Sequence, residues 1–469
     1  MSSFLESLDA VFQWYNTYIG GYLILLFLIP TGLWFLVKLR FLNVTGLGHA
    51  IKVICGKFDS HADKEHGDVN HFKALTTALS ATVGTGNIVG VALAIYLGGP
   101  GAVFWIWITG FLGMIIKYVE VTLAQKYRQF NSDGSVSGGP MYYMEYGLKD
   151  RLGKGAKVLA LVFAFATILC SLGTGNMAQC NSMSGALLES YSVPVWITGV
   201  VVMLLTLLVV VGGIKRIGIV TSRLVPIMAV LYLIATLFVL VSRYEAIPSA
   251  FGVIFHDAFS GRAATGGFAG STFIMTMIWG VRRGLFSNEA GQGSAPIAHA
   301  AAQTRYPARE GLVALIEPFV DTIVICTMTA LMIIVSGVWT SPDAEGVALT
   351  IRAMNQGFEF TGATDVGAHI VTIGLLLFAF STVIAWSYYG SRAVIYLFGE
   401  RWVKVYLWCY SAFAFLGAIW GLDIVWHFVD MVITFMTIPN LIAMLLLTGV
   451  VVKETKDYFE RMKNFDPDE

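Results

Sequence analysis

Long apolar runs separated by short polar stretches dominate the chain. The first covers about residues 18–37, is long enough to span a bilayer, and is followed by Lys38 and Arg40. The segment before it holds Glu6 and Asp9 but no Lys or Arg, so it lacks the basic start of a cleaved signal peptide. Further runs lie at about 71–97, 101–126, 156–189, 195–213, 219–242, 271–301, 311–339, 365–398, 402–421 and 425–450. With the first, these predict eleven transmembrane helices. A polar stretch near 344–357 separates two of them and predicts a short surface helix in an external loop.

Composition supports this reading. Of 469 residues, 56% are hydrophobic and 13% charged, with mean hydropathy +0.71. Soluble domains carry roughly 25% charge, so an ordinary soluble enzyme, a disordered chain and a small secreted scaffold are excluded. Net charge is zero, which gives no basic surface for nucleic acid. The five cysteines are scattered without a CxxC, so neither a disulfide framework nor a zinc site is indicated. Eleven spans place 24 of the 30 Lys and Arg inside, 3 outside (Arg243, Arg262, Arg352) and 3 within spans (Lys117, Arg282, Arg283). This strong positive-inside bias predicts a multi-pass cell-membrane protein with its N-terminus outside and its C-terminus cytoplasmic. His61, Asp63, Glu65, His66, Asp68 and His71 cluster in one predicted cytoplasmic loop. Their spacing fits no metal motif, and the expected role is that of an ordinary polar loop.

Two of the runs are interrupted. In the first, residues 80–87 read SATVGTGN, polar and glycine-rich at mid-membrane depth. In the second, Gly280, Arg282, Arg283, Gly284, Asn288, Glu289, Gly291, Gln292 and Gly293 break an apolar segment. Charges at such depth are costly unless they face water or a partner. The interrupted runs open similar halves, about 71–242 and 271–450, with five spans each. An odd number per half requires the halves to be inverted. Interrupted segments in matching places of two inverted halves point to a transporter's binding site. A break frees backbone groups that lipid cannot satisfy but an ion or solute can. The simpler alternative is that the glycines serve close helix packing alone. The resulting division is an extra helix and loop in 1–57, a ten-helix core in 58–450 and a cytoplasmic tail in 451–469.

The stretch GGPGAVFWIWITGFLGM (residues 98–114) resembles the signature of the sodium:alanine (alanine or glycine:cation) symporter family, which has Met where Ile106 stands. VGTGNI (83–88), SGGPMYY (137–143) and RGLFSNEAG (283–291) resemble the same family in the same order. The resemblance runs from about residue 70 to 450. It implies an all-α leucine-transporter fold: a five-plus-five inverted repeat with two broken helices and one extra N-terminal helix. It also implies sodium-coupled uptake of a small neutral amino acid by alternating access. Members of that fold share a pattern G-N-A-V-G-L-G-N in the first broken helix, which lines up with Ser80 to Asn87.

Residue roles follow from that alignment. Thr85 and Gly86 are expected to present backbone N–H groups to a substrate carboxylate, the alternative being a plain helix kink. Asn87 is assigned to a sodium ion or the substrate, the alternative being an interhelical hydrogen bond. Ser80 and Val83 are expected to offer carbonyls, and Ser381 and Thr382 hydroxyls, to one sodium ion, since a hard cation prefers oxygen. Thr82 and Asn87 mark a second sodium position. These ion positions carry no carboxylate, which favours a metal cation over a proton. Gln179 is a substrate ligand or interhelical glue. Trp279 and Gly280 at the second break, with Thr382 and Trp386, are expected to wall a pocket sized for alanine or glycine; aromatic packing is the alternative. Arg282, Arg283 and Glu289 are expected to be gate residues on the cytoplasmic side of the second break, with Glu317 and Asp321 as candidate partners.

Three other readings compete. An enzyme would need a catalytic constellation, and the chain has neither HExxH nor Walker A. A channel would not need gates at both faces. A sodium- or proton-coupled carrier of a larger neutral amino acid such as glutamine is the nearest alternative. No resident cofactor is expected, sodium being the coupling ion, and oligomeric state is left open.

Overall fold

The computed structural model describes residues 2–58, 67–130, 136–210, 213–260, 273–341, 345–359 and 365–463. Helices stand at all eleven apolar runs. Among the described residues, seven are long and apolar enough to cross a membrane, or up to nine when two bent pairs each count as one. We number the main helices α1 (Phe4–Lys38), α2 (His71–Thr82), α3 (Gly86–Gly98), α4 (Ala102–Tyr127), α5 (Lys154–Tyr191), α6 (Val195–Val210), α7 (Gly213–Ser242) and α8 (Ile247–Ser260). After them come α9 (Phe273–Asn288), α10 (Ala295–His299), α11 (Pro307–Ser336), α12 (Val347–Phe358), α13 (Val366–Phe398), α14 (Glu400–Ile419), α15 (Leu422–Leu446) and α16 (Thr448–Met462). Among the described residues, β structure is limited to a two-stranded antiparallel pair, Gln129–Phe130 with Val136–Ser137, and one isolated bridge.

The first break falls where the sequence places it. Val83 leaves helical geometry at ψ 93°, and the chain resumes as α3 at an angle of 49° to α2. The second does not. The α9 helix runs unbroken through Trp279, Gly280, Arg282 and Arg283, and the interruption is at residues 289–294. Gly280 is a packing glycine: a Cβ there would meet the Ala102 carbonyl oxygen at 2.4 Å. Positive φ ends the helix instead, at Glu289 (56°), Gly291 (90°) and Gly293 (82°). The broken helices face one another at the centre, where a Cβ on Gly86 would stand 2.8 Å from Ser287 Cα.

Three further elements depart from expectation. The stretch near 344–357 does form a helix, α12, but Leu349, Thr350, Ile351, Ala353 and Met354 are buried, so it is wedged into the bundle. Thr350 Oγ1 donates to the Ile88 carbonyl (3.1 Å), tying α12 to the first broken helix. The loop after α7 carries an unforeseen helix, α8, bent sharply by 81° and packed on the Phe104, Trp105 and Trp107 rings of α4. The expected tail begins as the helix α16, which buries Val451 and Tyr458. There Tyr118 and Thr455 hydroxyls share a 2.7 Å hydrogen bond, and so do the His49 ring and the Tyr458 hydroxyl.

Candidate functional site

At the first break, backbone groups freed from α2 meet side chains from α5 and α13. The Ser80 carbonyl accepts from Thr382 Oγ1 (3.1 Å) and Ser381 Oγ (3.4 Å), while Ser80 Oγ donates to the Ser381 carbonyl (3.2 Å). Val83 is buried beside them, and its extended geometry turns its carbonyl out of the helical ladder. Ser80, Ser381 and Thr382 thus bring oxygens together across two helices. Thr82 does not turn toward them. Its hydroxyl bonds back to the Ala78 and Leu79 carbonyls of its own helix (3.3 Å each).

The Thr85 N–H, expected to meet a substrate carboxylate, donates to Gln179 Oε1 (3.2 Å). Thr85 Oγ1 is buried without a hydrogen-bond partner. The glycine that borders this space is Gly84, because a Cβ there would lie 2.6 Å from Thr382 Oγ1 and 3.1 Å from Gln179 Oε1. Gly86 faces Ser287 and the Phe286 ring instead. Asn176, three residues before Gln179, points away and donates to the Tyr410 carbonyl (2.6 Å), because a π-helical turn at Gly173–Met177 shifts the register between them.

Asn87 bridges the two broken helices and α11. Its Oδ1 accepts the Gly84 N–H (2.9 Å). Its Nδ2 donates to Ser287 Oγ (3.1 Å) and Asp321 Oδ1 (2.7 Å). Asp321 Oδ2 also accepts from Ser287 Oγ (2.8 Å) and Thr322 Oγ1 (2.7 Å). This fully buried carboxylate sits in a π-helical turn, Phe319–Cys326. Asn87, one of the expected ion positions, thus lies beside a carboxylate, and the hydrogen-bond partners of Asp321 are Asn87, Ser287 and Thr322 rather than an arginine. Sequence reading noticed Asp321 but could not bring it to Asn87, 234 positions away.

The tryptophans separate. Trp386 is fully buried, donates to Glu289 Oε1 (2.8 Å), and presses so closely on Gly175 that a Cβ there would be 2.2 Å from its ring. Glu289 Oε2 accepts from Ser294 Oγ (2.5 Å). Glu289 thus lies in the second break and holds Trp386, apart from the arginines. Trp279 lies away from the break, with Arg282 and Arg283 at 5.6 and 5.5 Å from its ring centroid. Trp279 and Gly280 therefore do not wall a pocket at the second break.

Arg282 and Arg283 precede the break, on the α9 side rather than the expected side. Arg283 forms an ion pair with Asp430 of α15 and lies 4.7 Å from the Trp426 ring centroid. Arg282 donates to the Asn16 carbonyl. Glu317 and Asp321 are not their partners, since Glu317 pairs with Lys117 (3.1 Å). A cavity of about 40 Å³ reaches this group, lined by Trp279, Arg283, Glu345, Trp426 and Asp430 among others. Of the polar loop cluster, His61, Asp63, Glu65 and His66 lie outside the described residues.

A helical bundle with two facing broken helices and oxygen-lined breaks defines a class: secondary transporters of the leucine-transporter fold. In agreement, the crystal structure of MhsT in complex with L-phenylalanine matches with TM-score 0.61 at 13% identity, over 83% of this chain and 93% of that one. The chain belongs to the sodium:alanine symporter family, whose model it matches over residues 5–468. It is 45% identical to the sodium/alanine symporter AgcS of Methanococcus maripaludis, over 96% of this chain and 97% of that one. An uncharacterized transporter of Haemophilus influenzae is 43% identical over 99% of each chain. The family and these relatives are transporters rather than enzymes.

The two glycines of the first break should respond differently. Gly84→Ala fills the space between Thr382 and Gln179 and is expected to weaken amino-acid binding about tenfold or more, roughly 1.4 kcal/mol, with little change in Tm. Gly86→Ala pushes on the Ser287 backbone and should lower Tm first. Ligand-binding titration and thermal unfolding on both variants check this, and equal binding loss in the two would contradict the placement of Gly84.

Proposed function

We propose that this protein takes up alanine or glycine together with sodium by alternating access across the cell membrane. Family membership carries the class, sodium-coupled symport of a small amino acid. The observation that supports the placement is the set of oxygens from Ser80, Ser381 and Thr382, converging across α2 and α13 beside an N–H that already holds an amide oxygen. In this reading Ser80, Val83, Ser381 and Thr382 hold one sodium ion. Asn87, Ser287 and Asp321 hold a second, the carboxylate supplying the charge that a monovalent cation neutralises. The substrate carboxylate takes the Thr85 N–H in place of Gln179 Oε1. Thr85 Oγ1, Gly84 and Trp386 border the substrate. In this reading the buried Trp386 ring, pinned by Glu289, limits the substrate side chain to a methyl group or a hydrogen.

Mechanistically, sodium bound first would draw α2 and α13 together and order the break, which raises substrate affinity. Substrate in turn stabilises the closed centre, so the two share a coupling free energy. Arg282, Arg283 and Asp430 close the side of the break toward α8 and α12. The core comprises residues 58–450, the N-terminus is outside, and the end bearing His71, Lys154 and α16 is cytoplasmic. The charge ledger supports that orientation.

Three measurements check these assignments. A cysteine at Arg352 should label from outside in intact cells, and cysteines at Lys154 and Lys456 only after permeabilisation; the opposite pattern at any one breaks the topology. In proteoliposomes, Ser381→Ala with Thr382→Ala should raise the sodium concentration for half-maximal alanine uptake at least tenfold. The substrate constant at saturating sodium should change much less, and unchanged sodium dependence moves the ion elsewhere. In a competition series against labelled alanine, leucine should fail in the wild type and compete after Trp386→Ala. A single methylene is worth only about 1–3 kcal/mol in an apolar pocket, so serine should compete with modest loss. Leucine or glutamine competing as well as alanine in the wild type would mean a carrier for larger substrates.

A further inference from the structure

On the opposite side of the breaks from Arg283 lies a second group of charges that the transport site does not use. His71 begins α2, and its Nδ1 meets Glu310 Oε2. Glu310 Oε1 lies 2.5 Å from His299 Nδ1, and His299 Nε2 lies 2.5 Å from Glu317 Oε1. Glu317 Oε2 accepts from Lys117 Nζ at 3.1 Å. Five ionisable side chains thus run in one line through α2, α11, α10 and α4. Four are fully buried, and His71 is 5% exposed.

The geometry fixes how many protons this line holds. An ionised carboxylate only accepts hydrogen bonds, and a neutral imidazole has one N–H. Both ring nitrogens of His299 face carboxylate oxygens. One proton more than a neutral imidazole carries is therefore required, on His299 or on one of its two glutamates. With that proton, Lys117 and an imidazolium balance Glu310 and Glu317, and His71 Nδ1–H donates to Glu310 while neutral. Every contact in the line is then a donor meeting an acceptor, and the buried group is neutral overall. Without it, a lone pair faces a carboxylate in the dry interior, which is strongly unfavourable. Among the described residues, the charged and titratable groups around the line include Glu120 of α4 and Arg128 just after it, Asp68 before α2, Arg309 and Asp321 of α11, Glu289 in the second break and Tyr389 of α13. His49 and Lys52, on the short helix Leu47–Ile54, face Arg309 from the other side.

Backbone hydrogen bonds tie the two half-helices that carry His71 and His299 to each other. The Asp68 and Val69 N–H groups donate to the Ala301 carbonyl (2.8 and 3.1 Å), and the Gln303 N–H donates to the Val69 carbonyl (2.6 Å). This bridge locks the start of α2 to the end of α10, so the two half-helices form one body. Side chains tie that body to α4 and α11. Besides the charged line, Gln125 Nε2 donates to the His299 carbonyl (2.5 Å) and Arg128 Nη1 to the Ala300 and Ala302 carbonyls (3.0 and 2.8 Å).

We propose that the line His71–Glu310–His299–Glu317–Lys117 is a proton-binding latch, one that holds the α2/α10 body against α4 and α11 and gives up its proton when that body swings away. On the alternating-access reading above, this end is the cytoplasmic gate. Opening wets His299 and removes its carboxylates, so the extra proton that their contacts require is no longer held. The latched state therefore binds up to one more proton than the open state. Rising pH favours opening, by up to tenfold in the closed-to-open ratio per pH unit for one proton. The linkage makes cytoplasmic pH a regulator of the carrier.

The test uses the full chain in proteoliposomes and reads two quantities. The first is labelling of a cysteine at Ala74, buried one turn into α2, by a thiol reagent. Its rate is taken relative to that of the exposed Cys55, which cancels the reagent's own pH dependence. That ratio should rise at least fivefold from pH 6.5 to 8.5. In Ala74→Cys with His299→Gln, which cannot hold the extra proton, it should be high and flat. The second is sodium-driven alanine uptake against pH on the latched side, steep in the wild type and flattened by His299→Gln and by Glu310→Gln, whose amide N–H can donate to a neutral His299. A pH slope unchanged in both variants, or an Ala74→Cys ratio that is flat without His299→Gln, overturns the latch. Should His299→Gln fail to fold, Glu310→Gln carries the same comparison. Absence of sodium-driven uptake in the wild type would overturn the proposed function instead, and the labelling arm would still decide the latch.

Discussion

Backbone N–H and C=O groups cannot be left unpaired inside an apolar bundle, and everything at the centre of this molecule answers that constraint. Each break releases groups that a continuous helix would satisfy internally. At the first, Asn87 Oδ1 takes the Gly84 N–H, Gln179 Oε1 takes the Thr85 N–H, and hydroxyls of Ser381 and Thr382 take the Ser80 carbonyl. At the second, Asn288 Oδ1 takes the Ala290 N–H, and Asn440 Nδ2 takes the Gly291 carbonyl (2.9 Å). Every substitute partner is a side chain on another helix or on the break itself. Such partners can be exchanged for an ion or a carboxylate without unfolding anything. A binding site in a bundle of this kind is thus a place where the backbone's second-best partner is easily displaced.

The same constraint explains what was legible in the sequence. The first break was visible because polar and glycine residues at 80–87 have no other use at that depth, and the resemblance to known transporters fixed its register. The second was visible as an event but misplaced by nine residues or so. Glycine has two uses in a helix, and both occur in one segment here. Gly280 permits the crossing with α4, while Gly291 and Gly293 supply positive φ. Period and composition do not distinguish these, whereas the structure does so at once. The arginine assignments failed for that reason, since their side of the break depends on where the break is. Helix α12 was mistaken for a surface element because its polar residues, Thr350 among them, serve inward contacts.

What the sequence could not carry was pairing across the chain. Asp321 joins Asn87 over 234 positions, Arg283 joins Asp430 over 147, and His71 joins Glu310 over 239. Each was recognisable as a costly residue in an apolar run, and burial of charge requires a partner. Nothing in one sequence says which partner. The π-helical turns add to this: those at Gly173–Met177 and Phe319–Cys326 rotate the residues after them out of the expected face. Asn176 and Gln179 therefore diverge where helical spacing puts them together.

Once pairing is known, the two ends of the bundle are seen to be closed by different chemistry. On the α9 side, a guanidinium meets a carboxylate among aromatic rings, Arg283 with Asp430, Trp279 and Trp426. A guanidinium stays charged throughout the physiological range, and this closure has a fixed strength there. On the α10 side, imidazoles alternate with carboxylates, and the strength of that closure depends on a proton. A carrier that must open to one side at a time needs its two closures to differ in what releases them. The permanent charge pair yields only to a change in contacts, as when ligand leaves the centre. The imidazole line yields to that and to the solution on its own side. The asymmetry lies in which ionisable residues the two broken helices carry at their outer ends, and it arises even though the breaks themselves are built on the same principle.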